Sequence, residues 1–235
     1  MSDAARAEGR PAGLPERYGD AGAVTLRSWF RLLLRHPGPR IVAAGLAASV
    51  ALRVVLAGWR WADLVVAVAF TLGQPFTEWN IHVGLLHFRP RAVRGRTVDL
   101  YVARKHRAHH RDPEHIELTL VAIPALLGLM GVFTVLVAAG FRDPRLTLTA
   151  TTTGYALLLL YEWTHFLIHS PHVPRTRVYR ALWRSHRLHH YKNEHYWFGI
   201  TCTAADHVLR TAPDRRSVAT SPTARTLGVE VEAAV

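Results

Sequence analysis

The chain has 235 residues, 49% of them hydrophobic, and a formal net charge of +12. This pairing of apolar composition with strong basicity argues against an ordinary soluble domain and favours a membrane protein whose basic residues lie between apolar runs. The single cysteine, Cys202, excludes an intrachain disulfide and a cysteine-based zinc site, and it fits a reducing compartment.

The first forty residues contain a tail and one short helix. Residues 1–22 are rich in Ala, Gly, Arg and Glu without periodicity, which predicts a disordered N-terminal tail. From Thr25 to His36, three arginines fall on one helical face and leucines largely on the other. This pattern predicts an amphipathic helix on the membrane surface, ended by Pro37-Gly38-Pro39.

Four apolar segments then predict about four transmembrane helices. They cover residues 41–58, 62–87, 118–140 and 146–168. Arg53 interrupts the first span, and its side chain could reach toward a membrane surface if the residue lies near an end of that span. The predicted fold is therefore an all-α integral membrane domain over residues 23–212. After it, residues 213–235 mix Ser, Thr, Pro, Ala and charges without pattern and predict a disordered C-terminal tail.

Ten of the fifteen histidines lie in four clusters beside the apolar segments. Two clusters share the spacing His-x-x-His-His, and residues three or four apart lie on one face of a helix. Imidazole is a good ligand for iron, zinc and copper. Ten imidazoles are too many for one ion, so we predict a site for two metal ions. The predicted ligands are His82, His87, His106, His109, His110, His165, His169, His186, His189 and His190.

One pair within this set is irregular. His82 and His87 are five residues apart, which separates them by about 140° on a regular helix. We therefore expect either that they serve different ions or that the helix unwinds between them. Outside the clusters, His207 is a candidate to line the site, whereas His172 and His195 are expected to be surface residues.

The order of the predicted spans brings the ten histidines to one side of the membrane. Two crossings separate the clusters at 82–110 from those at 165–190, so both groups end on the same face. Most arginines lie in residues 1–40, 88–115 and 170–216, and the positive-inside rule places these segments in the cytoplasm. We therefore predict a helical cap that holds the metal site on the cytoplasmic face. The Arg- and Ala-rich composition indicates a bacterial plasma membrane. The basic charge then reflects orientation and attraction to anionic lipid, not nucleic-acid binding.

These clusters resemble the histidine boxes of the fatty acid hydroxylase/sterol desaturase superfamily of membrane di-iron oxygenases, nearest to the fatty acid 2-hydroxylases. The matching motifs are His82-x(4)-His87, His106-x-x-His109-His110, His165-x(3)-His169 and His186-x-x-His189-His190. The later stretch Phe198-Gly199-Ile200-Thr201, with Asp206, is similar to the one that closes the active site of 2-hydroxylases. The resemblance implies two iron ions, which zinc can replace in isolated protein. It also implies a membrane lipid substrate, O2, and an external electron donor such as a ferredoxin or a cytochrome b5-like protein.

The predicted activity is hydroxylation of a lipid C–H bond, with a fatty acyl chain as the first choice of substrate. Within the same superfamily, a lipid desaturase or a carotenoid or sterol hydroxylase is the alternative. In another class, the alternative is a non-enzymatic membrane metal-binding or transport protein. A transporter would hold its ligands near the bilayer midplane, whereas these histidines lie at the ends of the predicted spans.

Two acidic and four aromatic residues are further candidates for the site. Glu162, one turn before His165, and Asp206 are predicted to fix the tautomer of a ligand imidazole, with a helix-end charge or an exposed cap as the alternative. Four aromatic residues are predicted to line a lipid channel, with core or membrane-interface packing as the alternative. They are Trp163, Phe166, Trp197 and Phe198.

Overall fold

The computed structural model describes residues 25–229, and this part of the chain is mostly helical, as predicted. Its α-helices are α1 Leu26–Leu33, α2 Pro37–Leu56, α3 Trp61–Ile81, α4 Tyr101–Arg111, α5 Ile116–Thr119, α6 Ile123–Phe141, α7 Pro144–His169, α8 Arg177–Tyr191 and α9 Ala204–Val208. A π-helical turn, His82–Leu86, continues α3. The predicted N-terminal tail, residues 1–22, lies outside the described residues.

Prolines and threonines set several of the helix starts. Thr25 and Thr176 cap α1 and α8, because their Oγ1 atoms accept hydrogen bonds of 3.2 Å from the amides of Ser28 and Tyr179. In α2, α6 and α7 a proline occupies the first or second position, where the helix needs no amide donor. These prolines are Pro37, Pro124 and Pro144.

Helix α7 is the centre of the bundle and packs against α2, α3 and α6. Val66 of α3, Val137 of α6 and Ala150 of α7 form one of its buried layers. Gly154 of α7 permits the close approach of α6, because a Cβ atom there would lie 2.3 Å from the ring of Phe133. Because the chain alternates direction through α2, α3, α6 and α7, the C-terminal ends of α3 and α7 meet at one end of the bundle.

Two stretches of the described residues, Pro37–Leu56 and Ile116–Phe141, are long and apolar enough to cross a membrane. Of the most apolar 18 residues in each stretch, only 22% and 17% respectively are buried within the protein, so most of these side chains face outward. Exposed Leu64 and Leu72 continue this surface on α3. An outward apolar surface of this extent indicates that the protein associates with a membrane. The other two predicted spans are helical too, as α3 and α7.

Helix α1 forms where a membrane-surface helix is predicted, and it is anchored to α7. Trp29 and Leu33 are buried against Phe166 and Leu167, with 6.1 Å between the ring centroids of Trp29 and Phe166. The ring of Trp163 stacks beside Phe166 at 6.2 Å. Phe166 therefore belongs to this core cluster and Trp163 packs against it, which favours the core alternative for both residues.

A short β-hairpin follows the π-helical turn and is absent from the sequence-based prediction. Strands β1, Arg91–Val93, and β2, Arg96–Val98, pair antiparallel. Between them Arg94 and Gly95 have positive φ angles of 50° and 76°, which is the backbone of the two-residue turns that suit a hairpin. Both strands are exposed, so the hairpin adds an arginine-rich surface and no core.

Arg53 does not reach toward a membrane surface. Its side chain is 2% exposed and pairs with Asp63, with 2.8 Å between Nη2 and Oδ1. Its Nε donates to Oγ1 of Thr149 at 2.9 Å, its Nη1 donates to the carbonyl of Ala57 at 2.7 Å, and the Trp59 ring lies 3.7 Å from the guanidinium. The charge is thus compensated inside the bundle, at the end opposite the histidines.

The prediction of a disordered C-terminal tail is wrong for residues 213–229. Ala224 and Leu227 are buried, and the amide of Ser221 donates to the carbonyl of Lys192 at 2.7 Å. The polar composition does not reveal that this segment is ordered, because its order depends on hydrogen bonds to residues distant in the sequence. Residues 230–235 lie outside the described part of the chain.

Candidate metal centre

All ten predicted histidines meet at one end of the bundle, in two groups of five. Site A contains His82, His87, His106, His110 and His189. Site B contains His109, His165, His169, His186 and His190. Within each site one ring nitrogen from every histidine lies within 4.8 Å of the others. Helices α4 and α8 contribute to both sites, so each His-x-x-His-His motif has histidines in site A and in site B.

The irregular pair belongs to one site because the helix changes its winding. Residues His82–Leu86 form a π-helical turn, and the amide of His87 donates to the carbonyl of His82 at 3.0 Å. A π-helix closes its hydrogen bonds over five residues, so residues five apart return to one face. This geometry favours the second sequence-based alternative, a change in the helix between the two histidines, over ligation of different ions.

The spacing of the ring nitrogens fits metal ligation. In site A, the Nε2 atom of His106 lies 3.1 Å from that of His82 and 3.1 Å from that of His110. In site B, Nε2 of His186 lies 3.1 Å from Nε2 of His165 and 3.0 Å from that of His190. Two imidazoles that bind one ion at about 2.0–2.1 Å place their nitrogens about 2.9–3.4 Å apart. Both sites have this spacing.

Backbone carbonyls fix the ring orientation of three site A histidines. The Nδ1 atoms of His82, His110 and His189 each lie 2.8 Å from a carbonyl oxygen. These carbonyls belong to Phe198, Ala224 and Tyr196 respectively. A ring that donates from Nδ1 keeps Nε2 unprotonated, with its lone pair directed into the site.

This tautomer creates a specific requirement for a cation. The Nε2 atoms of His110 and His189 face each other at 3.2 Å, and both rings donate from Nδ1. Two lone pairs at this distance repel unless a positive ion lies between them. In site B, both ring nitrogens of His109 and of His169 are buried without a hydrogen-bond partner among residues 25–229. Buried nitrogens of this kind need a partner, and a metal ion supplies one.

Burial also keeps the imidazoles of α4 and α8 in the form that binds metals. It lowers the pKa of His110 to about 3. Burial is likewise the main cause that lowers the pKa of the other five histidines in these helices well below the usual value. These are His106, His109, His186, His189 and His190. The rings are therefore neutral at physiological pH, as ligation requires.

The two sites adjoin each other. The rings of His110 in site A and His190 in site B stack, with 4.1 Å between their centroids. The rings of His106 and His109, from the two sites, are 5.8 Å apart. Two ions held by these sets would therefore lie in one centre and not in separate ones.

The sequence-based prediction has Asp206 fix the tautomer of an imidazole, but among the described residues its carboxylate binds a loop beside the centre and no imidazole. Its Oδ1 accepts from the amide of Phe198 at 3.0 Å, and its Oδ2 accepts from the amide of Gly199 at 2.7 Å. The carbonyl of Phe198 is the acceptor for His82. Gly199 has no room for a side chain, since a Cβ atom there would lie 2.4 Å from the carbonyl oxygen of Cys202.

Glu78 holds the same loop and is a functional candidate that the sequence-based prediction misses. Its carboxylate accepts hydrogen bonds from the amides of Ile200 and Thr201, the latter at 3.1 Å, and from Oγ1 of Thr201 at 2.5 Å. It is 5% exposed and lies one turn before His82. A buried acid on an apolar helix, four residues before a ligand, is the sequence signal that points to it.

Glu162 has a different partner from the predicted one. Its Oε1 accepts from the amide of Val121 at 3.1 Å, which ties α7 to the segment that leads into α6. Within the described residues it forms no hydrogen bond to an imidazole, so the structure gives no support for a role in fixing a tautomer. Its other oxygen, Oε2, is buried without a partner in the same part of the chain.

The remaining candidates divide between the site and the surface. The ring of Phe198 lies 5.2 Å from that of His189 and 5.4 Å from that of His82, so it covers site A. Trp197 is buried and donates to the carbonyl of Pro213 at 3.3 Å. His207 is exposed and belongs to neither site, contrary to the prediction. His172 and His195 also lie outside both sites.

A cavity of about 60 Å³ opens beside the centre. Its wall includes His106 from site A and His109 and His165 from site B. Tyr161 and Ala125 are also part of the wall, and most of the remainder is apolar. The cavity therefore adjoins both sites.

This fold and centre define a class: a helical, membrane-associated protein with a histidine-rich centre that could hold metal ions. The sequence model of the fatty acid hydroxylase family matches residues 67–211, so the chain belongs to that family. The matched range contains all ten histidines of the centre.

Two known proteins are similar to this chain. The chain is 26% identical over 144 residues to the dihydroceramide fatty acyl 2-hydroxylase FAH1 of Arabidopsis thaliana, a match that covers 60% of this chain and 58% of that relative's length. Among solved structures, it is similar to full-length scs7p, in which only the hydroxylase domain is visible. That likeness has a TM-score of 0.62 at 18% identity and covers 84% of this chain and 70% of the other. It shows that the two proteins share a fold.

Proposed function

We propose that this protein is a membrane-bound di-iron oxygenase that hydroxylates a C–H bond of a lipid, a fatty acyl chain, with O2 and electrons from a separate carrier. The observation that carries the proposal is the pair of Nε2 atoms of His110 and His189, which face each other at 3.2 Å inside a ring of ten histidines while the Nδ1 atom of each ring lies 2.8 Å from a carbonyl oxygen. Membership of the fatty acid hydroxylase family supplies the reaction type. The similarity to a fatty acyl 2-hydroxylase favours an acyl substrate.

Sites A and B would each hold one iron ion. When bound, the irons supply the activation of O2 that an unactivated C–H bond requires and that side chains alone cannot provide. The protein keeps the ligand rings neutral and fixes their directions through the carbonyls of Phe198, Tyr196 and Ala224. The loop held by Glu78 and Asp206 maintains one of these carbonyls at its position.

In this proposal α2, α3, α6 and α7 cross the membrane and the centre lies on the cytoplasmic face. The end of the bundle that carries the histidines also carries exposed arginines, among them Arg177, Arg180 and Arg184 of α8. A basic surface on the cytoplasmic side follows the positive-inside rule. It would also suit an acidic electron carrier, such as a ferredoxin or a cytochrome b5-like protein.

The acyl chain would reach the centre through the cavity beside His106, His109 and His165. This cavity has a volume of about 60 Å³ and a mostly apolar wall, which suits the part of the chain that carries the reacting carbon. Contact with this wall would hold one carbon beside the metal ions.

Substitution Ala125→Phe tests this route. Ala125 lines the cavity, and the larger ring would occupy the space that the reacting carbon needs. We expect hydroxylation to fall by about 100-fold while bound iron stays unchanged, measured by product mass spectrometry and metal analysis of the same sample. Ala139→Phe, on the exposed side of α6, is the matched control and should keep normal activity. Normal turnover by Ala125→Phe would contradict this route.

The function itself is tested with purified, iron-loaded protein in lipid bilayers, supplied with a ferredoxin, its reductase and NADPH. We expect an acyl product that has gained one oxygen atom, and isotope-labelled O2 should be the source of that atom. Loss of two hydrogens without oxygen gain would instead identify a desaturase. Metal movement across vesicles without any change of the lipid would identify a transporter and refute the proposal.

A further inference from the structure

The last described residues form a segment that closes over the metal centre. We name residues 219–229 the C-terminal strap. It lies beyond residues 67–211, which match the family, and it runs between the end of α4 and the turn that follows α8. Its backbone carbonyl at Ala224 accepts the hydrogen bond from Nδ1 of His110, at 2.8 Å.

His110 occupies the junction of the two sites. Its Nε2 lies 3.1 Å from that of His106 and 3.2 Å from that of His189, and its ring stacks on His190 of site B. The orientation of the His110 ring therefore affects the spacing of the ring nitrogens in site A and the contact between the two sites. The carbonyl of Ala224 fixes this orientation, because it accepts a hydrogen bond from Nδ1 and thereby sets which ring nitrogen carries the proton.

Contacts on the α8 side hold the strap in position. The amide of Ser221 donates to the carbonyl of Lys192 at 2.7 Å. Oγ1 of Thr223 donates to Oε1 of Glu194 at 2.5 Å. Glu194 is 1% exposed, so this carboxylate is a fixed internal anchor and not a mobile surface group.

Contacts on the α4 side complete the closure. The guanidinium of Arg225 donates to the carbonyl of Arg111, the last residue of α4. Arg111 in turn donates from Nη2 to the carbonyl of Val229 at 3.2 Å. Leu227 is 3% exposed and seals the strap against the protein. The strap thus joins the two helices that carry the His-x-x-His-His motifs.

We propose that the C-terminal strap is a working part of the metal centre, which positions His110 and thereby sets the affinity and geometry of site A. The proposal rests on the proposed function, in that site A must bind a metal ion. Among the described residues no hydrogen bond joins the strap to a histidine of site B, so its effect should fall mainly on one ion. Loss of a group that orients a metal ligand costs about 10–100-fold in metal affinity.

Leu227→Asp in the full-length chain tests the proposal, because it places a charge where the strap is buried and alters no ligand. Leu227 has a φ of 54°, a conformation that aspartate tolerates, so the backbone itself does not oppose the change. The probe is cobalt(II), titrated into detergent-solubilised, metal-free protein and followed by its visible spectrum. We expect one of two bound ions to weaken by about 10–100-fold, with an altered spectrum for that ion alone.

Thr220→Asp adds the same charge at an exposed position of the strap and should bind both ions normally. A second variant, Thr223→Val, removes only the hydroxyl that Glu194 holds and should weaken the same ion by roughly tenfold. Thr226→Val makes the same exchange at another threonine of the strap and is the control for Thr223→Val. If Leu227→Asp prevents folding, Thr223→Val decides. Two ions bound with normal affinity and spectrum in Thr223→Val would overturn the strap proposal, whereas a full-length chain that binds no cobalt would overturn the proposed function and the strap with it.

Discussion

His186→Ala will lose tight binding of one metal ion and, with it, hydroxylation. The Nε2 atom of His186 lies 3.1 Å from that of His165 and 3.0 Å from that of His190, and the residue is fully buried. Removal of a group that merely orients a ligand weakens metal binding by 10–100-fold, so loss of the ligand itself should cost more than about 100-fold. Metal content per chain and product formation, measured on the same preparation, check this expectation.

His207→Ala is the matched control for this experiment. His207 is exposed and belongs to neither site, so its loss should change neither metal content nor turnover. Circular dichroism should show equal helix content in both variants, because alanine favours a helix at least as well as histidine does. A His186→Ala protein with two tightly bound ions and more than half of normal activity would remove His186 from the centre.

The candidate ligands were predictable from the sequence because helical spacing is a local property. His106, His109 and His110 needed only the periodicity of α4 to be placed on one face. Their meeting with the later clusters needed only the number of crossings between apolar segments. Hydropathy and spacing together therefore predict the meeting of all ten histidines, and the structure brings these histidines together.

The partition of the ligands was not predictable in the same way. His82 and His87 share site A only because the helix takes a π-helical turn between them. The pattern of residues 82–86 permits both α- and π-winding, and packing at the centre decides between them. Sequence alone could state the two alternatives for this pair but could not choose.

Long-range hydrogen bonds account for the remaining errors. Glu78 reaches Thr201, which is 123 residues further along the chain, and His110 reaches Ala224, which is 114 residues further. No periodicity connects such positions. The strap also has a polar composition typical of disorder, and its order comes from contacts that hydropathy does not register. Groups that orient ligands are therefore harder to predict than the ligands.

Asp63→Ala will destabilise the protein by about 3–5 kcal/mol, since it leaves the buried charge of Arg53 without its counterion. Oδ1 of Asp63 accepts from Nη2 of Arg53 at 2.8 Å and from Oγ1 of Thr149 at 2.6 Å. Its Oδ2 accepts from the amide of Arg60 at 2.8 Å, which fixes the turn into α3. One substitution thus unpairs a buried cation, a hydroxyl and an amide. Chemical unfolding in detergent micelles, followed by tryptophan fluorescence, measures the loss.

Asp143→Ala provides the comparison, because Asp143 also pairs with an arginine but in an exposed setting. The side chains of Arg60 and Asp143 are 47% and 28% exposed, and an exposed ion pair of this kind contributes little to stability, so Asp143→Ala should destabilise the protein much less than Asp63→Ala. A double variant, Arg53→Met with Asp63→Leu, should recover most of the stability, since it removes both buried charges together. Equal destabilisation by Asp63→Ala and Asp143→Ala would show that the buried pair is not what holds this end of the bundle. Metal binding should survive in all three variants, because the pair and the histidines occupy opposite ends of α3.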